Sequence, residues 1–210
     1  MTPLTYDAGR TQRILMGHDA VAAVQSEMAR LNVKRAFVIA SASVMDADRQ
    51  AAWREALGEA CVGMHTGIPA HGPQEAVLDA VLAARAAGAD VLVSVGGGTP
   101  IDAAKVTQAA LTHGVETLAD LRALALPALT GPSNLDSARV GAVRSIAVPT
   151  TLSGAEFASL GGALNTELKQ KQGYNHPDLA PVAIVFDPAL GAQTPARLWL
   201  SAAARTLDHG

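Results

Sequence analysis

Three consecutive glycines stand where an apolar run of the sequence changes into a helical pattern. The run 89–95 is short and rich in β-branched residues, so it predicts a buried strand rather than a helix. Gly96, Gly97 and Gly98 follow it, and residues without a Cβ let backbone N–H groups come close to an anion. This combination favours a loop that binds phosphate. The alternative is a tight turn between a strand and a helix, with nothing bound.

The residues after the glycines predict a helix start. We expect Thr99 to cap the helix, Pro100 to take the first helical position, and Asp102 to complete a capping box. The free N–H groups of such a helix suit a pyrophosphate best. The spacing is neither the usual dinucleotide fingerprint nor a Walker A loop. Lys105 lies nearly two turns into the helix, where phosphate contact and simple surface exposure are both open.

A second cluster of polar side chains follows another predicted strand, 144–148. Thr150, Thr151 and Ser153 come directly after it. They could be ordinary helix-capping hydroxyls, or they could donate to a sugar or an amide. Because ligands of open α/β sheets bind at the carboxyl ends of the strands, we expect this loop to meet the glycine loop.

The elements around these loops alternate between helical and strand patterns, which predicts an α/β fold: a Rossmann-like parallel sheet with flanking helices. A cluster rich in Pro, Gly and Ser at 127–137 predicts a loop or insertion. Predicted helices cover 18–31, 46–60, 73–88 and 99–111, and predicted strands cover 35–40, 61–65, 89–95, 144–148 and 182–186.

Length, composition and charge limit the kinds of protein that this chain can be. The chain has 210 residues, of which 49% are hydrophobic, so it can bury a substantial core. With a net charge of −3, the chain lacks the excess of positive charge that is typical of proteins that bind nucleic acid or an anionic membrane. A single cysteine, Cys61, excludes an intramolecular disulfide. No apolar run approaches the length of a membrane span, so the expectation is a cytoplasmic protein.

Taken together, the two loops resemble those of a known family. The glycine loop with Asp102 and Lys105, followed by PTTLSGAE at 149–156, is similar to the iron-containing alcohol dehydrogenase family, and most similar to its maleylacetate reductase branch. The resemblance runs from Arg13 to the last residue. It implies an NAD(P)-binding α/β domain at 1–190. It also implies that 191–210 is the first helix of a truncated, all-helical second domain.

The resemblance also implies roles for individual residues. Gly96, Gly97, Gly98 and Thr99 would hold the cofactor pyrophosphate, and Thr150, Thr151 and Ser153 would meet the nicotinamide and its ribose.

Two further positions bear on the ribose groups of the cofactor. Lys171 would contact the nicotinamide ribose, although Lys169 is only two residues away and both could lie in a solvated loop. Ser41 stands where NAD-preferring members carry an aspartate, so both NADH and NADPH are expected cofactors.

The last helix bears on metal binding. Metal-dependent relatives carry an Asp and a His four residues apart here, whereas this chain has Arg205 and His209. Because a guanidinium cannot ligate a cation, the expectation is a site without metal. Arg205 and His209 become the candidate catalytic residues, with Arg205 holding a substrate carboxylate. The alternatives are a surface arginine and a frayed terminal histidine.

The activity implied by the resemblance is hydride transfer from NADH or NADPH to the carbon–carbon double bond of maleylacetate, a small dicarboxylate. The product is 3-oxoadipate, an intermediate in the breakdown of aromatic compounds. A homodimer is expected, because Leu198, Leu200 and Leu207 would leave an apolar helix face exposed. The rival interpretations are a metal-dependent alcohol dehydrogenase and a nucleotide-binding fragment without catalysis.

Overall fold

A computed structural model describes residues 4–8, 10–126, 133, 135–136 and 142–208, with side chains described from residue 10 to residue 204 among them. The strands are β1 Leu4–Ala8, β2 Thr11–Met16, β3 Ala36–Ala40, β4 Cys61–Thr66, β5 Val91–Gly96, β6 Arg144–Pro149, β7 Leu160–Asn165, β8 Gln170–Asn175 and β9 Ala183–Phe186. The helices are α1 Ala20–Leu31, α2 Ala47–Leu57, α3 Gln74–Ala86, α4 Gly98–Thr112, α5 Leu118–Ala123, α6 Pro188–Gly191 and α7 Ala196–Asp208.

Seven strands form one sheet in the order β1-β2-β9-β6-β5-β3-β4. Strands β2, β9, β6, β5, β3 and β4 pair in parallel, and β1 pairs antiparallel with β2 at one edge. The predicted Rossmann-like parallel sheet is therefore confirmed. Each of the five predicted strands is present. Strands β1 and β2 and the separate antiparallel hairpin of β7 and β8 were not predicted.

The central strands are apolar because helices cover both faces of the sheet. Every residue of β3 and β5 is buried. Alternate side chains enter different cores, since Cβ atoms alternate along a strand. Phe37, Ile39 and Leu92 pack with α3 and α4, whereas Val38 and Val93 pack with α1 and α2. The sheet is thus the middle layer of three.

Helix α4 is the most enclosed of these covering elements. Every residue from 103 to 110 is buried, because the helix lies between the sheet and the β7–β8 hairpin. Its alanines let these neighbours approach closely, and Gly161 of β7 lies so near that a Cβ there would be 2.8 Å from the Cβ of Lys105. The helix is therefore fixed in position along most of its length.

The carboxyl end of β9 anchors two helix starts through one side chain. Asp187 Oδ2 accepts a hydrogen bond from the N–H of Ala20 at the start of α1. Asp187 Oδ1 accepts from the N–H groups of Ala189 and Leu190 in α6. These are capping bonds that satisfy otherwise unpaired helix donors. The segment leading to α7 therefore leaves the sheet from a defined point.

Helix α7 follows at the end of the described chain. Trp199 Nε1 donates to the carbonyl of Gly191 at 3.0 Å, which ties α7 to α6. Leu198 and Leu200 are 49% and 72% exposed, so the predicted exposure of apolar side chains is confirmed for these two. The side chain of Leu207 lies outside the described residues, as does most of 127–137. The division at residue 190 stays a prediction.

None of the helices in the described part of the chain has the length and apolar character that crossing a bilayer requires.

Candidate functional site

A cavity of about 630 Å³ opens at the carboxyl ends of β3, β5 and β6. The rest of its wall comes from Arg49 of α2, from the segment after β4, and from α6, α7 and the segment between them. Seven of the residues predicted to bind a cofactor line it: Ser41, Gly97, Gly98, Thr99, Thr150, Thr151 and Ser153. The cavity is therefore the place where the two sequence motifs come together.

The glycine loop turns sharply between β5 and α4. Gly96 has φ +135°, a value that residues with a side chain rarely adopt, and a Cβ there would lie 2.7 Å from Ser41 Oγ. Gly97 has an ordinary extended backbone, but a Cβ there would lie 3.1 Å from Thr151 Oγ1. Gly96 is therefore required by the fold, whereas at Gly97 the missing side chain avoids a close contact with Thr151.

The predicted helix start was wrong by two positions. Helix α4 begins at Gly98 with Gly97 as N-cap, so Thr99 and Pro100 already lie in its first turn. No side chain caps it, and Asp102 instead pairs with Lys171. The reason is that glycine itself is a tolerated N-cap, which lets the helix start earlier than the threonine. The first-turn N–H groups of α4 are consequently left open toward the cavity.

The loop after β6 meets the glycine loop, as predicted. Thr150 donates its N–H to the carbonyl of Gly96 at 2.9 Å. The Cβ and Oγ of Ser153 lie 3.4 Å from where a Cβ on Gly98 would be. The short 3₁₀ helix that follows at Ala155–Phe157 has Gly154 as its N-cap and no side-chain cap. Ser153 Oγ nevertheless accepts a hydrogen bond from the N–H of Ala155, the first residue of this helix, at 3.4 Å, so the capping alternative stays open for Ser153.

Thr194 closes the cavity on the side of α7, and the sequence analysis missed it. Its Oγ1 donates to the carbonyl of Thr150 at 2.8 Å, and this contact is buried. The residue lies in an irregular segment without a motif, so only the fold could reveal the contact. It joins the α6–α7 segment to the loop that carries Thr151 and Ser153.

At the end of β3, Arg49 of α2 lines the cavity near Ser41 and Ser43. Its Nη1 donates to the carbonyl of Val44 at 3.0 Å, and it pairs with Asp46 at the same distance. Arg49 was not predicted from the sequence, because a charged residue on a predicted helix is usually a solvated one. Arg49 thus brings a guanidinium, paired with Asp46, to the cavity that Ser41 also lines.

Lys105 occupies neither of the positions predicted for it. It is fully buried, and its Nζ donates to the carbonyls of Ala155, Ala158 and Leu160 at 2.5, 2.6 and 3.2 Å. Burial lowers its pKa to about 8, although the charge of Asp102 and then that of Glu156 oppose this shift. Burial also raises the pKa of Glu156. Both earlier alternatives, phosphate contact and surface exposure, are therefore wrong.

Lys171 lies away from the cavity wall. Its ammonium is 2.7 Å from Asp102 Oδ2, and its stem crosses Gly162, where a Cβ would be 2.2 Å from Lys171 Cε. Half of its side chain is exposed, so it can leave this ion pair at little cost. The backbone of Arg205 is in α7, but its side chain lies outside the described residues. His209 lies outside them entirely.

The described residues contain no group of three His, Cys, Asp or Glu side chains that could hold a metal ion. At the position where the resemblance implies a metal-binding aspartate, the sequence has Arg205, whose guanidinium cannot ligate. The expectation of a site without metal therefore stays a prediction, which rests on Arg205 alone.

Comparisons with known proteins agree on one family. The sequence pattern of the family described as "Iron-containing alcohol dehydrogenase" matches residues 11–188. Dehydrogenase FUM7 of Gibberella moniliformis is 34% identical over 184 residues, which are 85% of this chain and 43% of that protein. Maleylacetate reductase of a Rhizobium species is 28% identical over 210 residues, which are 100% of this chain and 50% of that protein.

A solved structure adds a likeness in fold. The crystal structure of maleylacetate reductase from Agrobacterium tumefaciens superposes with a TM-score of 0.65 at 26% identity. It covers 89% of this chain and 44% of that one. The chain thus spans about half the length of the relatives it matches. Since the matched family is described as iron-containing, these comparisons give no support to the expectation of a site without metal.

The buried Lys105 predicts a pH dependence of stability. Its pKa is about 8 in the fold and 10.5 in the unfolded chain, so the unfolded chain binds more protons between these values. The contribution of Lys105 to the free energy of unfolding therefore rises with pH from about 8 to 10.5, by at most about 1.4 kcal/mol per pH unit. Urea denaturation of wild type and Lys105→Met at pH 7 to 9.5 measures it. The free energy of unfolding of the wild type minus that of Lys105→Met should increase above pH 8.

Lys34→Met is the matched control, because Lys34 is exposed at the opposite end of β3. It should keep the wild-type dependence. A difference between wild type and Lys105→Met that stays constant over this range would contradict the buried, charged state of Lys105.

Proposed function

Because the chain belongs to the iron-containing alcohol dehydrogenase family, we propose that it is the dinucleotide-binding part of an NAD(P)H-dependent oxidoreductase. One observation carries this proposal: the uncapped first turn of α4 opens, across Gly97 and Gly98, onto the hydroxyls of Thr151 and Ser153. A helix start with free N–H groups and no side chain in front of it is a site for an anion.

The residues of the cavity fit a dinucleotide. Gly97 and Gly98 carry no side chain that would stand between the backbone donors and a pyrophosphate. The N–H groups of Gly98 and Thr99 would hold it, and the wall near Ser41 and Arg49 would receive the adenosine ribose. The hydroxyls of Thr150, Thr151 and Ser153 would meet the nicotinamide end.

When bound, the dihydronicotinamide supplies the hydride, so the chemistry required of this chain is binding and orientation. Glycine backbone at the start of α4 would fix the pyrophosphate, in the middle of the ligand. The loop that carries Thr150, Thr151 and Ser153, here called the hydroxyl loop, faces the pyrophosphate site. It is held to the glycine loop by the hydrogen bond from Thr150 N–H to the carbonyl of Gly96. Thr194 keeps the same loop against the α7 side and helps to close the cavity to water. Lys171 is proposed to contact the nicotinamide ribose after its release from Asp102.

For the reaction of the whole protein, we propose reduction of maleylacetate to 3-oxoadipate. The support is the likeness to maleylacetate reductases over most of this chain. A dicarboxylate substrate also suits Arg205, which would hold one carboxylate in a bidentate pair, and His209 is the other candidate catalytic residue. A metal-dependent alcohol dehydrogenase is the second candidate, favoured by the description of the matched family. A homodimer is proposed from the exposed Leu198 and Leu200.

Gly97→Ala tests the pyrophosphate site. Alanine adopts the negative φ of Gly97 without strain, but its methyl group would fill the space beside Thr151. We expect the wild-type chain to bind NADPH or NADH saturably, followed by cofactor fluorescence, and the variant to bind about tenfold or more weakly, which is about 1.4 kcal/mol. Gly191→Ala is the matched control, since nothing lies near a Cβ there. Equal affinity in wild type and Gly97→Ala would rule out this site.

Ser41→Asp tests the choice between the two cofactors. A carboxylate here would accept the hydroxyls of an adenosine ribose and repel a 2′-phosphate. We expect the ratio of NADH to NADPH affinity to rise about tenfold or more, because one like-charge contact is worth over 1 kcal/mol near a protein surface. Ser41→Asn has the same shape without the charge and should keep the wild-type ratio. An unchanged ratio in Ser41→Asp would place the adenosine ribose elsewhere.

The reaction itself is tested by the loss of 340 nm absorbance when the chain is mixed with maleylacetate and NADH or NADPH, with and without a chelator. The proposed reductase consumes the reduced cofactor, and added iron distinguishes the two candidates. Turnover of an alcohol with NAD⁺ that requires iron, without turnover of maleylacetate, would favour the alcohol dehydrogenase. Cofactor binding without either turnover would leave this chain as a binding domain only.

A further inference from the structure

Lys105 donates all of its side-chain hydrogen bonds to one short stretch of backbone. An ammonium has three N–H donors, and here they serve the carbonyls of Ala155, Ala158 and Leu160. A fully buried cation held by neutral backbone carbonyls is costly to place, so the arrangement calls for a reason beyond stability. The negative charges of Asp102 and Glu156 nearby make it tolerable.

The stretch it holds is the return path of the hydroxyl loop. This loop leaves β6 at Thr150, where the N–H and carbonyl are bonded to Gly96 and Thr194. It comes back at 155–160, where Lys105 takes three carbonyls. Between these two anchors lie Thr151 and Ser153, in a segment without strand or α-helix. Its position relative to the glycines therefore depends on both anchors.

The second anchor and the open N–H groups belong to the same helix, α4. The first turn of α4 faces Thr151 and Ser153 across Gly97 and Gly98, and Lys105 lies farther along α4. Because the helix is enclosed along this length, the distance between its open N–H groups and the hydroxyl loop is set within one rigid element. Gly161 allows the close approach, since a Cβ there would be 2.8 Å from Lys105 Cβ.

We propose that Lys105 is a positioning residue of the dinucleotide site, which acts through the backbone of 155–160 to hold Thr151 and Ser153 opposite the open start of α4. The inference rests on the proposed function for the identity of the ligand. It assigns to Lys105 no contact with the ligand. A methionine at this position would keep the apolar stem but remove the three hydrogen bonds to the carbonyls of Ala155, Ala158 and Leu160, so the loop would move.

The test combines two measurements on the full chain, for wild type, Lys105→Met and the exposed-lysine control Lys34→Met. Hydrogen exchange at neutral pH reports on peptides that cover 150–160 and, separately, on those from β5 and β6. NADPH fluorescence gives the dissociation constant. For Lys105→Met we expect exchange of 151–158 to speed up about tenfold or more, since hydrogen bonds to a charged group are lost. NADPH affinity should fall about tenfold, with exchange of β5 and β6 unchanged.

If Lys105 served stability alone, hydrogen exchange in Lys105→Met would speed up in β5 and β6 as much as in the loop, and that result would overturn the proposal. Loop exchange in Lys105→Met at the wild-type rate would overturn it as well. Coupling gives a further readout: in a Thr151→Ala background, Lys105→Met should weaken binding by a smaller factor, because the hydroxyl it positions is gone. Fully additive effects would also overturn it.

If Lys105→Met does not fold, Gly161→Ala takes its place, because the added methyl group pushes the start of β7 away from Lys105. We again expect faster exchange of 151–158 with unchanged exchange of β5 and β6, and the absence of this pattern counts against the proposal. Wild-type chain that binds no dinucleotide defeats the proposed function, while the exchange of 150–160 still shows whether Lys105 holds the loop. The two failures are therefore told apart.

Discussion

The enclosed helix α4 is the element on which the rest of the site depends. Its first turn supplies open N–H groups at the end of β5, and its buried ammonium holds the far end of the hydroxyl loop. The sheet covers one side of the helix and the β7–β8 hairpin another, so neither loop can shift without disturbing a packed interface. Geometry at the cavity is thus set by packing at a distance from it.

Glycines make this arrangement possible in two different ways. Gly96 is needed because the backbone turns through a region that other residues avoid. Gly97 is needed for space alone, since its backbone is ordinary and only the neighbouring Thr151 excludes a side chain. Gly161 likewise provides space, because a side chain there would collide with Lys105 and keep the β7–β8 hairpin away from α4. A single residue type therefore provides the turn, the space in front of the donors, and the close approach of the hairpin.

Much of the fold could be predicted from the sequence, because buried parallel strands are short apolar runs and the helices between them carry clear apolar faces. The meeting of the two loops followed from that topology. Strands β7 and β8 escaped prediction since their segments, LGGALN and QKQGYN, are glycine-rich and polar. The place of Lys105 escaped because a lysine on a helix is normally solvated. Thr194 acquires its role only from tertiary contact.

The likeness to maleylacetate reductases and the description of the matched family leave the metal content and substrate of the whole protein as proposals, while the dinucleotide site rests on this chain's own geometry. A crystal structure of the chain with NADPH tests that site most directly. The account predicts pyrophosphate oxygens within about 2.7–3.2 Å of the N–H groups of Gly98 and Thr99, facing the loop of Thr151 and Ser153. A pyrophosphate bound away from the start of α4 would contradict it.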